Sequence, residues 1–284
     1  MITSSKTAYC SVSLRDSSDA VGLGIYTKDQ SVKNQPIVWL VHGSGGISSA
    51  EDLWKSKALD SGYTVAIVDS YSSRGTLKKN WDGKDRLAIT GHGRANDLLS
   101  CREWLVENES IVPFADMDAN IAVGFSNGGT AALHCQSDRF RHRSAWLQMS
   151  YALYPGVHPF ESDFASINGN KCHLFVGELD QWTTAAQAKK FCDSNGSQLT
   201  VLPAAHHSYS KPGVANTYKN VINLGKIPIP DQFSDDIING NFNMLDYTQG
   251  DISAYKGVYV EYNSQATETT MSMIFGGKND TTAA

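Results

Sequence analysis

Ala122-Val123-Gly124-Phe125-Ser126-Asn127-Gly128-Gly129-Thr130 decides how this chain is read. An apolar, strand-like stretch runs into a G-x-S-x-G pattern and leaves through small residues that suit the start of a helix. A serine hydroxyl is a poor nucleophile at neutral pH. Chemistry at Ser126 therefore needs a sharp strand-to-helix turn that lifts the hydroxyl clear, and a base that takes its proton. Gly124 and Gly128 fit such a turn because side chains there would collide with the neighbouring strand and helix. Glycine-rich turns holding a serine also arise by chance, so the motif gains weight only from partners elsewhere in the chain.

Partners follow in the order nucleophile, acid, histidine. Leu174-Phe175-Val176-Gly177-Glu178-Leu179-Asp180 reads as a short buried strand that delivers a carboxylate just past its end. Asp180 is the expected acid and Glu178 its competitor. Leu199-Thr200-Val201-Leu202 reads as a further strand, and the loop after it carries His206-His207, one of which is the expected general base. Ile37-Val38-Trp39-Leu40-Val41 is an apolar strand ending in His42-Gly43-Ser44-Gly45-Gly46, whose glycines let backbone amides turn toward a substrate oxygen. The expected oxyanion donors are the N–H groups of Asn127 and of Ser44, with Gly45 as the alternative to Ser44.

These segments resemble the dienelactone hydrolase family of α/β-hydrolases. The resemblance is carried by Val41-His42-Gly43-Ser44-Gly45-Gly46, Val68-Asp69-Ser70-Tyr71-Ser72-Ser73-Arg74-Gly75, Gly124-Phe125-Ser126-Asn127-Gly128-Gly129, Tyr154-Pro155-Gly156, Gly177-Glu178-Leu179-Asp180-Gln181-Trp182-Thr183 and His207-Ser208-Tyr209. It spans roughly residues 20–210, and Tyr262–Phe275 looks like the family's closing helix. It implies a catalytic triad of Ser126, Asp180 and His207, with His206 a bystander. Two departures accompany it. The enzyme that gives the family its name uses a cysteine nucleophile, so its lactone substrate is not carried over to a chain with Ser126. The stretch Ser208–Gly257 is longer and more polar than expected, and residues 208–257 are read as a cap-like insertion in a single domain spanning 1–284.

The coarse reading alternates strands and helices, giving an α/β-hydrolase fold with a mostly parallel eight-stranded sheet and helices on both faces. Cys10–Leu14 and Val21–Thr27 form an antiparallel opening pair. Further strands are expected at Ile37–Val41, Tyr63–Asp69, Asn120–Phe125, Ala145–Leu153, His173–Val176 and Gln198–Leu202. Helices are expected at Ser49–Ser61, Arg94–Asn108, Gly128–Asp138, Thr183–Ser194 and Ser264–Phe275.

Asp69, Tyr71 and Arg74 fall at the C-terminal end of a strand, where open α/β sheets bind ligands. Arg74 has two readings, a fork for a substrate carboxylate or a brace paired with Asp69 or Asp97. Tyr71, Arg74, Trp81 and Trp182 are the candidate substrate-binding residues, while Trp39, Trp54, Trp104 and Trp146 are read as packing. His42 and His158 lack further ligands at metal spacing, so each is read as a structural hydrogen-bonding group, with no metal and no cofactor expected. No G-K-[ST] or G-x-G-x-x-G follows the glycine-rich loop at Gly43, which argues against nucleotide binding.

With 284 residues and a formal net charge of −5, the chain has a size that a single α/β domain reaches and carries no nucleic-acid-binding surface charge. No apolar run reaches the length of a membrane span. Met1–Cys10 lacks the apolar core of a secretory signal, so the cytoplasm is the default location, with export open for a processed form. Of the five cysteines, Cys101 with Cys135 or Cys172 with Cys192 would be bridged only in an exported chain. The expected activity is that of a carboxylic ester hydrolase acting on a small-molecule ester through an acyl-serine. An acyltransferase, an amidase or peptidase with the same triad, and an inactive hydrolase-like binding protein are the alternatives. Oligomeric state and substrate identity are not written in the sequence.

Overall fold

The computed structural model describes residues 5–14, 19–74, 89–157, 166–223 and 256–276. Its strands are β1 (Ser5–Ser13), β2 (Ala20–Thr27), β3 (Gln35–Val41), β4 (Thr64–Asp69), β5 (Ala115–Phe125), β6 (Leu147–Leu153), β7 (Cys172–Gly177) and β8 (Gln198–Leu202). They form one sheet in the order β1-β2-β4-β3-β5-β6-β7-β8. β1 and β2, and β2 and β4, pair antiparallel, whereas every pairing from β4 through β3, β5, β6 and β7 to β8 is parallel.

Ile37–Val41 of β3 and Val65–Val68 of β4 are unbroken apolar runs because both faces of the sheet are covered there. Successive side chains of a strand point to opposite faces, and β3 splits accordingly. Ile37, Trp39 and Val41 enter one core while Val38 and Leu40 enter the other. The first core is closed by α2 (Gly91–Glu107), through Ala95, Leu98, Leu99 and Leu105, and by Ala131 and Ala132 of α3 (Asn127–His134). The opposite face is closed by α1 (Ser49–Asp60), through Trp54, Ala58 and Leu59, and by Met271, Ile274 and Phe275 of α5 (Ser264–Phe275). α4 (Ala185–Asn195) packs Ala188, Phe191 and Cys192 over β6 and β7. Caps set the helix starts. Ser48 and Glu51 form a capping box before α1, Thr90 accepts from Gly93 N–H before α2, and Asn263 accepts from Ala266 N–H before α5.

β9 (Ala215–Ile222) and β10 (Lys256–Glu261) form a separate antiparallel pair within and beside the stretch read as an insertion. This pair was not expected from the sequence. α2 starts three residues earlier than expected, and α3 ends at His134 instead of Asp138 because the chain turns there, with Ser137 N–H and hydroxyl both bonding the His134 carbonyl. All five cysteines are free thiols, so neither the Cys101/Cys135 nor the Cys172/Cys192 bridge is formed. Among the described residues no helix is long and apolar enough to cross a membrane.

Candidate active site

Ser126 joins β5 to α3 with φ 52° and ψ −119°, a left-handed backbone that L-residues adopt only when the surroundings enforce it. The enforcement is visible on both sides. Its N–H bonds the Leu153 carbonyl at the end of β6 at 2.8 Å. A Cβ on Gly124 would stand 2.1 Å from the Gly128 carbonyl oxygen, and one on Gly128 would stand 2.0 Å from the Val41 carbonyl oxygen. Only glycine admits so close an approach of α3 to β3 and β5. Asn127 opens α3, where a backbone N–H has no intrahelical acceptor.

β7 and β8 end on the same side of the sheet as β5 and deliver the other two side chains. Ser126 Oγ lies 3.1 Å from His207 Nε2, and His207 Nδ1 lies 2.9 Å from Asp180 Oδ2. His207 and Asp180 are both buried. Asp180 Oδ1 accepts from the N–H groups of Trp182 and Thr183 at 2.8 Å each, and the Thr183 hydroxyl donates to Oδ2 at 2.9 Å. Thr183 Oγ1 is also 3.2 Å from His207 Nδ1, so one hydroxyl braces both groups. The imidazole is walled by two rings: Tyr154, edge-on with centroids 4.8 Å apart, and Trp182 at 4.9 Å. The Tyr154 hydroxyl meets Ser210 Oγ at 2.6 Å, and burial pushes this phenol's pKa up, so it stays protonated. Thr183 and Tyr154 lie in segments that carry the resemblance, but neither they nor Ser210 were given a role from the sequence. Thr183, three residues past Asp180 in a turn, is the one whose position hinted at this contact.

The remaining expected residues divide clearly. Glu178 is turned elsewhere and accepts from Ala204 N–H at 3.1 Å. His206 faces Tyr259 of β10 edge-on, away from Ser126. The hairpin touches the site from outside: Tyr218 of β9 packs against Trp182 at a tilt with centroids 5.7 Å apart, Tyr259 N–H donates to Gln181 at 3.2 Å, and Glu261 N–H donates to the His207 carbonyl at 3.3 Å. Trp182 thus lies between the imidazole and the hairpin.

On the other flank, Gly43 runs against the elbow, and a Cβ on it would stand 3.6 Å from Ser126 Cβ. The turn from Gly43 closes with Gly46 N–H on the Gly43 carbonyl at 3.1 Å, which sets Ser44 and Gly45 at its tip. Tyr71, expected at a substrate wall, is buried with its ring on His42 at 4.7 Å, because its backbone is drawn inward by the Asp69 carboxylate. Arg74, the other candidate at this strand end, holds Asp97 through both guanidinium ends at 2.7 and 2.8 Å and reaches Asp19 at 3.0 Å. Its fork is therefore a brace between β2, β4 and α2, the second of its two readings. His42 is buried and hydrogen-bonded through both ring nitrogens. Trp81 and His158 lie outside the described residues. Among the described residues no three His, Cys, Asp or Glu side chains gather as a metal site.

Neither a protein-family model nor a curated protein matches the chain by sequence. Solved structures do match it in fold. A dienelactone hydrolase from Anabaena variabilis aligns over 74% of this chain and 91% of its own, at 18% identity and a TM-score of 0.56. A dienelactone hydrolase-like promiscuous phosphotriesterase from metagenomic libraries covers 95% of this chain and 98% of its own, at 15% identity and a TM-score of 0.53. An esterase from Pyrococcus furiosus covers 73% and 86%, at 16% identity and a TM-score of 0.52. With the sheet order, the strained serine turn and these shared architectures together, the chain has the α/β-hydrolase fold.

Proposed function

We propose that this chain is a serine hydrolase that cleaves a carboxylic ester or lactone of a small to medium substrate through an acyl-serine intermediate. The observation that carries the reading is the unbroken hydrogen-bonded line from Ser126 through His207 to Asp180, starting at a serine held in a strained turn. In this mechanism His207 Nε2 takes the Ser126 proton as Oγ attacks the carbonyl carbon, and Asp180 holds the Nδ1–H and balances the imidazolium that forms. The oxyanion is received by the N–H of Asn127 and the N–H of Ser44, with Gly45 as the alternative second donor. His207 then gives its proton to the departing alkoxide, and water repeats the sequence to free the acid. Proton transfer and charge stabilisation are both met by the chain's own groups, so the reaction needs no metal or cofactor.

The named neighbours, a dienelactone hydrolase and an esterase, support hydrolytic chemistry for this fold. We read residues 1–284 as one unit with 208–257 as a cap-like insertion, of which 224–255 lie outside the described residues, and Trp182 as one wall of the substrate site. A small-molecule ester is the partner this site suits. The test is a panel of chromogenic esters of graded acyl length, run on the wild type and Ser126→Ala, with matched anilides and with added alcohols. Hydrolysis by the wild type and none by the variant supports the reading. Faster anilide cleavage would turn it toward an amidase, acyl transfer to the alcohol toward an acyltransferase, and equal turnover by the variant would overturn it.

A further inference from the structure

We propose that Arg94 is a positioning residue for the loop that carries the second oxyanion donor. Its buried guanidinium holds the His42 carbonyl and keeps the His42 ring neutral, the Gly43 carbonyl and Ser70 N–H set that ring's Nδ1–H tautomer, and His42 in turn aims the Ser44 amide. The amide's use in catalysis rests on the serine hydrolase reading. The geometry does not.

Arg94 is an unusual place for a cation. It is fully buried, and it sits in the first turn of α2, the end of a helix that repels positive charge. Asp97, one turn along, and Glu51 lie near enough to favour its charge, yet among the described residues neither forms an ion pair with it, and Asp97 is held by Arg74 instead. Nε and Nη1 of Arg94 meet no hydrogen-bond partner. A buried cation satisfied on one side only works against the fold, so its position calls for another reason. Nη2 supplies one: it donates to the His42 carbonyl, immediately before Gly43-Ser44.

The His42 ring is fixed by what surrounds it. Nδ1 lies 2.7 Å from the Gly43 carbonyl, which can only accept, and Nε2 lies 3.2 Å from Ser70 N–H, which can only donate. Both contacts are satisfied only by a neutral ring protonated at Nδ1. Asp69 Oδ1, 3.9 Å from Nε2, favours an imidazolium. Arg94 Nη2, 3.0 Å from Nδ1, opposes it by its charge, this being the one contact that the Nδ1–H tautomer leaves unmet, and the Tyr71 ring packs against both His42 and Arg94. With its oxygen drawn to the His42 ring and to Gly46 N–H, the planar trans Gly43–Ser44 peptide must point the Ser44 N–H the opposite way.

Imidazole 15N NMR on the intact protein reads the tautomer directly. The wild type is expected to show His42 as neutral Nδ1–H from pH 5 to 8; an Nε2–H or doubly protonated His42 at pH 7 would overturn the proposal without any variant being made. Arg94→Met is expected to give His42 a titration inside that window. It should also lower kcat by ~10²-fold, with KM within about threefold, and weaken a trifluoromethyl ketone analogue in parallel. Arg94→Lys, which keeps a buried cation, should retain most of kcat. A folded Arg94→Met with unchanged kcat and ketone affinity would overturn the proposal. Failure of every ester in the panel, with His42 still titrating only in Arg94→Met, would sink the hydrolase reading while upholding the clamp on His42.

Discussion

The two flanks of Ser126 are built on different physics. On the His207 side the work falls to side chains: a carboxylate, a hydroxyl and two rings surround an imidazole, and each is named by its residue type. On the Gly43 side the groups proposed to act are backbone amides, and the side chains there, His42 and Arg94, hold the loop from behind. The comparison teaches that a site assembled from side chains is written in residue identities, whereas a site assembled from amides is written only in the glycines that leave room for it.

If the His207 flank carries the proton, its loss is the largest effect available. Ser126→Ala and His207→Ala are each expected to lower kcat by ~10⁶-fold, while His206→Ala retains most of the activity. Comparable losses at the two histidines would erase the distinction between a base and its neighbour. Asp180→Asn keeps the shape but favours the wrong tautomer of His207, and a fall in kcat of ~10⁴-fold is expected. Thr183→Val removes the hydroxyl shared by Asp180 and His207 and leaves their direct contact in place. A fall of about ten- to a hundredfold is expected by the same assay, since one hydrogen bond to a charged group contributes roughly 1.5–3 kcal/mol. A loss as large as that of Asp180→Asn would make Thr183 an equal member of the group.

The smallest effect concerns stability, and it keeps acid loss of fold apart from acid loss of function. His134, at the end of the helix that follows Ser126, has its pKa pushed down to about 3 by burial, with the stacked His92 and the nearby Arg139 adding to it. Between the ordinary histidine value and that low one, the unfolded chain binds a proton that the folded chain refuses. The stability is fully present above the unfolded value and is lost as pH falls. From pH 7 to pH 5 urea denaturation should show a loss of about 2 kcal/mol from this group, and His134→Gln should flatten that slope. An identical slope in the variant would remove His134 from the account.

How much of this was legible in the sequence follows from the same contrast. β8 and α5 fall at Gln198–Leu202 and Ser264–Phe275 as expected, because apolar periodicity and an Asn cap mark them locally. Ser126 and Asp180 were named because each follows a recognisable strand, whereas strand position left His206 and His207 open and the family resemblance selected His207. The β9–β10 pair was not foreseen: Ala215, Asn216, Thr217 and Lys219 of β9 are exposed and give no apolar run, and its partner lies more than thirty residues away in sequence. Nor was the start of α2, where Gly91 and Gly93 weaken the helical signal that Thr90 restores as a cap. Tyr71 read as a candidate substrate-binding residue because nothing local reveals that its backbone N–H bonds the Asp69 carboxylate and that its ring is buried against His42. Arg74 kept two readings until Asp97, twenty-three positions on, occupied its fork.

Labelling with a fluorophosphonate probe, followed by peptide mass spectrometry, tests most directly whether Ser126 is activated by its neighbours. The account predicts a single adduct on Ser126 in the wild type, none in Ser126→Ala, and labelling that becomes slow in His207→Ala. A wild type that stays unlabelled while folded, or an adduct on another residue, would contradict it.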